Sequence, residues 1–156
     1  YASENAAWVV KQALDIGVMG FVFNTVETKE QAEAAVKSMR YPPWRAFPNT
    51  HTGPVGIRGW SPGGAVWAWG VDMEEYRRRA DVWPLNPKGE LLIGVKIEDH
   101  VGRRYTEKIV RVPGVSFAEW GPRDTSYSSG FLDVAFDYGR KPGVVEPPPL
   151  KAAAPP

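Results

Sequence analysis

The first forty residues alternate between a helical pattern and a strand pattern. Apolar residues recur every three or four positions from Ala6 to Leu14, including Val9 and Val10, which predicts an amphipathic helix that ends at Gly17. The next segment, Met19–Val26, is almost continuously apolar and rich in β-branched and aromatic residues. Such a run is typical of a strand that is buried on both faces, as in a parallel sheet.

A second helix is predicted directly after this strand. Thr28 is followed three residues later by Gln31, which is the spacing of a capping box at a helix start. The residues that we expect to face the core are Ala32, Ala35, Val36 and Met39. Pro42 and Pro43 end the helix, because proline lacks an amide hydrogen and clashes with the preceding turn.

The same alternation returns in the second half of the chain. Strands are predicted at Leu91–Glu98 and Val115–Trp120. A short helix is predicted between them at Arg103–Val110, with Tyr105 and Ile109 facing inward. Helices that alternate with buried strands across short turns indicate an α/β fold. The sequence therefore predicts about three parallel strands with flanking helices.

Two segments lie outside this alternation. Residues 42–70 are rich in Gly, Pro and Trp, and we predict a long loop that is packed at least in part, since disordered linkers seldom carry so many tryptophans. The segment from Pro142 to Pro156 contains six prolines and ends in KAAAPP. We therefore divide the chain into a domain at 1–141 and a proline-rich tail at 142–156.

Composition narrows the class of protein. The chain has 156 residues, of which 43% are apolar and 24% charged, as in an ordinary globular domain. The net charge of +1 gives no electrostatic argument for a nucleic-acid partner, and no apolar run reaches the roughly 18 residues of a membrane span. The absence of Cys excludes disulfides and thiolate metal sites, and it is consistent with the cytoplasmic location that we predict.

Two acidic residues are the candidates for chemistry. In parallel α/β folds ligands bind at the carboxyl ends of the strands, and Glu98 and Asp124 occupy such positions. Carboxylates on neighbouring strands, which lie about 4.8 Å apart, could share one divalent cation. Two other interpretations stay open here: Asp124 caps a helix, or Glu98 and Asp99 form a solvated strand end.

Other polar residues are weaker candidates for a functional site. Glu119 lies inside the third predicted strand, where we expect it to pair with an arginine in the core. His51 and His100 lack the spacing of metal ligands, and a surface role is favoured for His100. The segment GIRG, residues 56–59, offers amide groups and an arginine to an anion, but a structural turn is the favoured interpretation.

Five motifs occur in a fixed order along the chain. The run WVVKQALDIGVMGFVFNTVETKEQAEAAVKSMRYPP contains KQ-LD-G, a buried strand, EA-AV and RYPP, and it is followed by GIRG, VKIED and VPGVSFAEWGPRDTS. This order resembles that of the HpcH/HpaI aldolase/citrate lyase family, in which one strand ends in IE and another is followed by GP-D-S. The resemblance extends from roughly Trp8 to Gly130, about four fifths of the chain.

The resemblance implies a (βα)8 TIM barrel and a class II aldolase. Such enzymes form or cleave a C–C bond next to a 2-oxo acid, usually pyruvate, with an aldehyde as the second substrate. It further implies that Glu98 and Asp124 bind a divalent cation, Mg²⁺ or Mn²⁺. Gly121, Pro122 and Arg123 would then bind the substrate, with the backbone amides of Arg123 and Asp124 next to the carboxylate of the oxo acid.

The chain also departs from the family's pattern. Lys96 stands where Gln is frequent, and its ammonium group would oppose a nearby cation. Thr125 stands where Leu is common. The family's catalytic His and its substrate-binding Arg precede the first helix, in sequence that this chain does not contain, and neither His51 nor His100 matches that base.

These departures predict a central piece of a barrel that lacks parts on both sides. The chain begins at Tyr1, and a full barrel needs about 200 to 250 residues. We therefore expect a homo-oligomer, or pairing with the missing barrel segments. The alternative function is that of a non-catalytic remnant, which binds a metal or a protein partner without turnover.

Overall fold

The computed structural model describes residues 7–42 and 53–130, which form six helices and one sheet of four strands. Ala6, Pro43, Trp44, His51 and the predicted tail lie outside the described residues, so the division into a domain and a tail stays a prediction. In the part of the chain that is described, none of the helices is long and apolar enough to cross a membrane.

The elements alternate between helix and strand, as predicted. In chain order they are α1 (Ala7–Asp15), β1 (Gly20–Phe23), α2 (Lys29–Met39), α3 (Gly63–Trp69), α4 (Met73–Arg79), β2 (Val82–Trp83), β3 (Leu91–Ile97), α5 (His100–Val110), β4 (Phe117–Trp120) and α6 (Pro122–Ser128). The capping box at the start of α2 is present, with hydrogen bonds in both directions between Thr28 and Gln31.

β3 is the central strand of the sheet, and all of its partners run parallel to it. β1 pairs with one edge of β3, whereas β2 and β4 follow one another along the opposite edge. Ser116 links the two short strands, because its hydroxyl donates a hydrogen bond to the carbonyl of Trp83 and accepts one from the amide of Ile93 at 3.0 Å. β2 was not predicted, since a strand of two residues carries no periodic pattern.

The hydrophobic core lies between the helices and one face of this sheet. The alternate residues of β3 that point into it are all buried: Leu91, Ile93, Val95 and Ile97. The helices contribute Val10 and Leu14 from α1, Ala32, Val36 and Met39 from α2, and Ile109 from α5. Every residue predicted to form the buried face of α2 is therefore in the interior.

The opposite face of the sheet is apolar and open within the described residues. Trp83 pairs in register with Leu92, and Val22 and Phe117 lie on either side of Gly94. Each of these four apolar side chains is 44% exposed. The ring of Phe117 lies over Gly94, where a Cβ atom would come within 2.5 Å of it. Towards the carboxyl ends of the strands this face becomes charged, because Lys96 pairs in register with Glu119.

Several sequence-based predictions are wrong in detail. β1 is shorter than Met19–Val26, because the chain turns at Thr25, which has a φ of 51°. Val9 is exposed, and only Val10 and Leu14 of the predicted α1 face are buried. The segment 42–70 was predicted to be a loop throughout, but it contains α3. This helix was missed because it begins with two glycines, which have a low helix propensity.

Two side chains predicted to face inward are exposed. Tyr105 lies at the edge of α5, whose buried residues are Gly102 and Ile109, and the Lys108 ammonium group lies 5.4 Å from the centre of its ring. Glu119 is exposed and pairs with no core arginine in the described part of the chain, because β4 places it on the sheet face that the helices leave open.

The GIRG segment was predicted to be a structural turn, but it is an irregular stretch that packs against the end of α2. The amide of Ile57 donates to the carbonyl of Lys37 at 2.9 Å, and the amide of Arg58 donates to that of Arg40 at 3.0 Å. Gly56 passes so close to this helix end that a Cβ atom would lie 2.1 Å from the Arg40 oxygen. The segment thus satisfies helix carbonyls that would otherwise lack donors.

Arg58 joins this segment to the first helix. Its buried guanidinium donates to Asp15 at 3.1 Å and to the Tyr76 hydroxyl at 2.8 Å. Burial raises the pKa of Asp15, but hydrogen bonds from Lys11, Ser61 and Arg58 outweigh it, so the pKa lies below its usual value. The predicted packing of the Trp-rich segment is confirmed for Trp69, whose indole donates to the Gly17 carbonyl at 2.9 Å.

A second buried ion pair fixes α2 to the start of β2. The Arg40 guanidinium donates to both carboxylate oxygens of Asp81, at 2.7 and 3.2 Å, and to the carbonyl of Pro54 at 2.8 Å. Only 1% of the Arg40 side chain is exposed. Removing one partner of such a pair leaves a buried charge without compensation.

We therefore expect Asp81→Ala to lower the free energy of unfolding by about 3–5 kcal/mol, as for other buried pairs that lose one partner. Urea unfolding followed by circular dichroism measures this. Glu74→Ala is the matched control, because it breaks the exposed Arg77–Glu74 pair of α4 and should leave the unfolding midpoint unchanged. Equal effects of the two substitutions would contradict the structural role of Asp81.

The open apolar face generates a second prediction, because contiguous apolar surface favours association. We expect the 17.3-kDa chain to elute from a sizing column as a species larger than a monomer, or to bind a hydrophobic dye. Light scattering behind the column and dye fluorescence check this. Leu92→Ser should weaken both signals, whereas Lys88→Ser, at an exposed position away from that face, should not. A monomer that binds no dye would show that the face is covered.

Candidate functional site

Glu98 follows the last residue of β3 and is almost completely buried, with 5% of its surface exposed. Its Oε1 atom accepts hydrogen bonds from both the amide and the hydroxyl of Thr25, each at 2.7 Å. Thr25 was not identified from the sequence, because a left-handed residue after a strand leaves no pattern. The interpretation of Glu98 as part of a solvated strand end is therefore wrong.

The second carboxylate oxygen of Glu98 has a different environment. Oε2 is buried and accepts no hydrogen bond within the described residues. The Nζ atom of Lys96 lies 3.5 Å from Oε2, beyond the usual length of a charge-assisted hydrogen bond. A buried oxygen of this kind is rare in folded proteins and calls for a ligand or a function.

Gly121 forms the wall of the site next to this oxygen. Its amide donates to the carbonyl of Ile97 at 3.1 Å, which holds the chain after β4 against the end of β3. A Cβ atom at Gly121 would lie 2.6 Å from Oε2 of Glu98 and 3.2 Å from Cε of Lys96. The approach of the two segments therefore requires a residue without a side chain at position 121.

Helix α6 begins at this glycine. Pro122 occupies its first turn, and the Thr125 hydroxyl donates to the carbonyl of Gly121 at 2.7 Å and accepts from the Trp120 indole at 3.0 Å. At the other end of the helix, the Ser128 hydroxyl donates to the carbonyl of Glu98 at 3.4 Å. These contacts hold α6 across the carboxyl end of β3.

Asp124 lies in the first turn of α6, three residues after Gly121, and is exposed. It is not the N-cap, since that position belongs to Gly121, so the capping interpretation of Asp124 is wrong. Because α6 is held against Glu98, its first turn lies at the same end of the sheet as the buried carboxylate. The assignments of Glu98, Asp124, Gly121, Pro122 and Arg123 to metal and substrate stay predictions.

A second acidic pair flanks the site and was missed in the sequence. Glu27 follows β1, and its side chain forms a hydrogen bond with Asp99, which raises the pKa of Glu27, together with burial and the negative charge of Asp99. Asp99 is the N-cap of α5 and accepts from the amide of Gly102 at 2.6 Å. The available signal for Glu27 was its position directly after the predicted strand Met19–Val26. His100, the first residue of α5, is exposed, in agreement with the surface role favoured for it.

The donor chemistry of Glu98 fits a hard divalent cation, because carboxylate oxygens are the preferred ligands of Mg²⁺ and Mn²⁺. The buried Oε2 atom without a hydrogen bond supports this fit. Among the residues that the structure describes, no group of three or more His, Cys, Asp or Glu side chains could hold a metal ion by itself. A cation there would need further oxygen ligands from substrate or water.

Comparison with curated proteins finds relatives that are aldolases. The chain is 32% identical over 125 residues to a hydroxypyruvate/pyruvate aldolase of Roseobacter denitrificans, covering 80% of this chain and 42% of that protein. It is 34% identical over 128 residues to a 5-keto-4-deoxy-D-glucarate aldolase of Shigella boydii, covering 82% and 42%. The chain thus spans about two fifths of the length of these curated relatives. No family model matches it.

Solved structures give a similar result. An HpcH/HpaI aldolase/citrate lyase family protein of Burkholderia cenocepacia superimposes with a TM-score of 0.60 at 27% identity, over 81% of this chain and 44% of that one. An HpcH/HpaI aldolase of Desulfitobacterium hafniense gives a TM-score of 0.61 at 25% identity, over 82% and 42%. The predicted fold, part of a (βα)8 barrel with parallel strands, is confirmed.

The close contact at Gly121 generates a prediction about stability. Gly121→Ala should lower the free energy of unfolding by about 1–3 kcal/mol, as expected when a methyl group is forced into a packed site. Gly63→Ala is the control, because no atom lies within 4 Å of its Cβ position, and it should leave stability unchanged or slightly raised. Chemical denaturation of both variants measures the difference, and a neutral Gly121→Ala would show that Glu98 does not lie against this residue.

Proposed function

Since the chain belongs to the HpcH/HpaI aldolase/citrate lyase family over about 80% of its length, we propose that it is part of a divalent-metal-dependent aldolase. The reaction is the formation or cleavage of a C–C bond between a 2-oxo acid such as pyruvate and an aldehyde. The observation that carries this proposal is the buried Glu98 carboxylate at the end of the central strand, with one oxygen that accepts no hydrogen bond from residues 7–42 or 53–130.

In this proposal Glu98 and Asp124 hold Mg²⁺ or Mn²⁺ at the carboxyl end of the sheet. When bound, such a cation supplies a Lewis acid for the negative charge that develops on the keto oxygen of the substrate. Thr25 fixes the orientation of the Glu98 carboxylate through two hydrogen bonds to Oε1 and so directs Oε2 away from them. Orienting a metal ligand in this way is a common function of neighbouring donors.

The substrate would lie against the start of α6. Gly121 lets the start of α6 come directly against Glu98, because a Cβ atom there would lie 2.6 Å from Oε2. Pro122 and Arg123 follow it in the first turn, and we propose that the backbone here faces the carboxylate of the 2-oxo acid. Because the chain matches less than half the length of its relatives, the group that accepts and donates protons is assigned to none of the described residues.

A second candidate is a non-catalytic remnant, which binds a metal or a protein partner without turnover. Lys96 favours the loss of catalysis, because its ammonium group lies 3.5 Å from Oε2 and a positive charge there weakens the cation binding that the reaction needs. Incubation of the chain with pyruvate, an aldehyde and Mn²⁺, followed by mass spectrometry for the aldol product, distinguishes the two candidates. Cation binding without product would favour the second.

The metal site itself is tested by substitution of each proposed ligand. We expect the parent chain to bind one Mn²⁺ ion weakly, and we expect Glu98→Gln and Asp124→Asn each to weaken binding by at least about tenfold. Electron paramagnetic resonance of free Mn²⁺ or calorimetry gives the affinity. Glu107→Gln, in an exposed carboxylate of α5, is the control and should bind as the parent does. Unchanged binding in the Glu98→Gln, Asp124→Asn double variant would refute the assignment.

A further inference from the structure

The Glu98 carboxylate carries a charge that the protein has to compensate, because it is nearly completely buried. Thr25 donates two hydrogen bonds to Oε1 but brings no positive charge. Within the described residues, the cationic group recorded near this carboxylate is the ammonium group of Lys96, 3.5 Å from Oε2. Lys96 therefore occupies the place of a counter-ion.

The geometry leaves little room for a second cation at this oxygen. Gly121 lies against Oε2 on one side, and the stem of Lys96 passes the same glycine with its Cε atom. Lys96 and Glu98 are separated by one residue at the end of β3, so both side chains emerge on the sheet face that the helices do not cover. A divalent cation and the Lys96 ammonium group would therefore occupy the same small region.

Lys96 can leave this region without disturbing the core. Its side chain is 25% exposed, whereas that of Glu98 is 5% exposed. A lysine has a flexible four-carbon stem, and its ammonium group is strongly hydrated, so solvent on the open face offers it a second position. Glu98 has no such freedom, because Thr25 and Gly121 hold it in place.

We propose that Lys96 is an internal competitor for the divalent cation at Glu98, a role that rests on the metal site proposed above. Without a cation, the ammonium group neutralises the buried carboxylate and stabilises the fold. When a cation binds, Lys96 moves towards solvent. Binding of the metal therefore has to break the Lys96–Glu98 interaction. The free energy of that interaction lowers the affinity that the ligands alone would give.

The test compares Mn²⁺ binding and thermal unfolding in four chains: the parent, Lys96→Met, Lys96→Arg and the control Lys88→Met at an exposed position. Lys96→Met removes the charge and keeps the length, so Mn²⁺ should bind on the order of tenfold to a hundredfold more tightly than in the parent, as expected for removal of a directly coupled charge. Lys96→Arg keeps the charge and should bind weakly. Lys88→Met should bind as the parent does.

Thermal unfolding supplies a readout that does not depend on catalysis. Without metal, Lys96→Met should unfold at a lower temperature than the parent, because Glu98 has lost its counter-ion. Saturating Mn²⁺ should raise the unfolding temperature of Lys96→Met by more than that of the parent. If Lys96→Met does not fold, Lys96→Gln serves instead, because its amide can donate a hydrogen bond to Oε2 without a positive charge.

The outcomes separate this proposal from the one on which it rests. Equal affinities in the parent and Lys96→Met, both abolished by Glu98→Gln, would leave the metal site in place and refute the role of Lys96. An absence of Mn²⁺ binding in all variants would refute both proposals. Tighter binding in Lys96→Met that disappears in the Lys96→Met, Glu98→Gln double variant would support both.

Discussion

Pairing along both edges of β3 is the constraint on which the rest of the described structure depends. With β1 on one edge and β2 and β4 on the other, the backbone groups of this strand find partners within the sheet. Its side chains then point alternately to the two faces of the sheet. Leu91, Ile93, Val95 and Ile97 enter the core under the helices. Leu92 and Lys96 point to the open face, and Glu98 follows at the end of the strand. One strand therefore positions residues of both the core and the candidate site.

Buried charges in this chain fall into two groups. Two pairs, Arg40 with Asp81 and Arg58 with Asp15, join segments that are distant in sequence. The carboxylate accepts a hydrogen bond from the guanidinium at 2.7 Å in the first pair and at 3.1 Å in the second. Such pairs are structural, because breaking them would leave a charge in the interior. Glu98 differs, since one of its oxygens accepts two hydrogen bonds from Thr25 and the other has, within the described residues, an ammonium group at 3.5 Å. A buried carboxylate oxygen without a hydrogen-bond donor calls for an explanation, and a bound ligand is one.

The sequence predicts the regular parts of this fold well, because they follow from local chemistry. The capping box at Thr28, the buried face of α2 and the long apolar β3 each depend on residues close together in the chain. Glu98 could be singled out for the same reason, since its position after a strand is local information. Contacts made across the fold could not be found in this way, and the examples are the exposure of Tyr105 and of Glu119. The proximity of Gly121 to Glu98 also depends on the pairing of β3 with β4, which no single segment encodes.

The attachment of α1 to residues far along the chain has a consequence for the order in which the molecule folds. Arg58 and Asp15 are 43 residues apart, and Trp69 and Gly17 are 52 residues apart. Bringing such distant segments together requires closure of a long loop, and its entropic cost has to be met before the contact contributes stability. Local elements such as α2 can form before that closure. We therefore expect the docking of α1 to be a late step in folding.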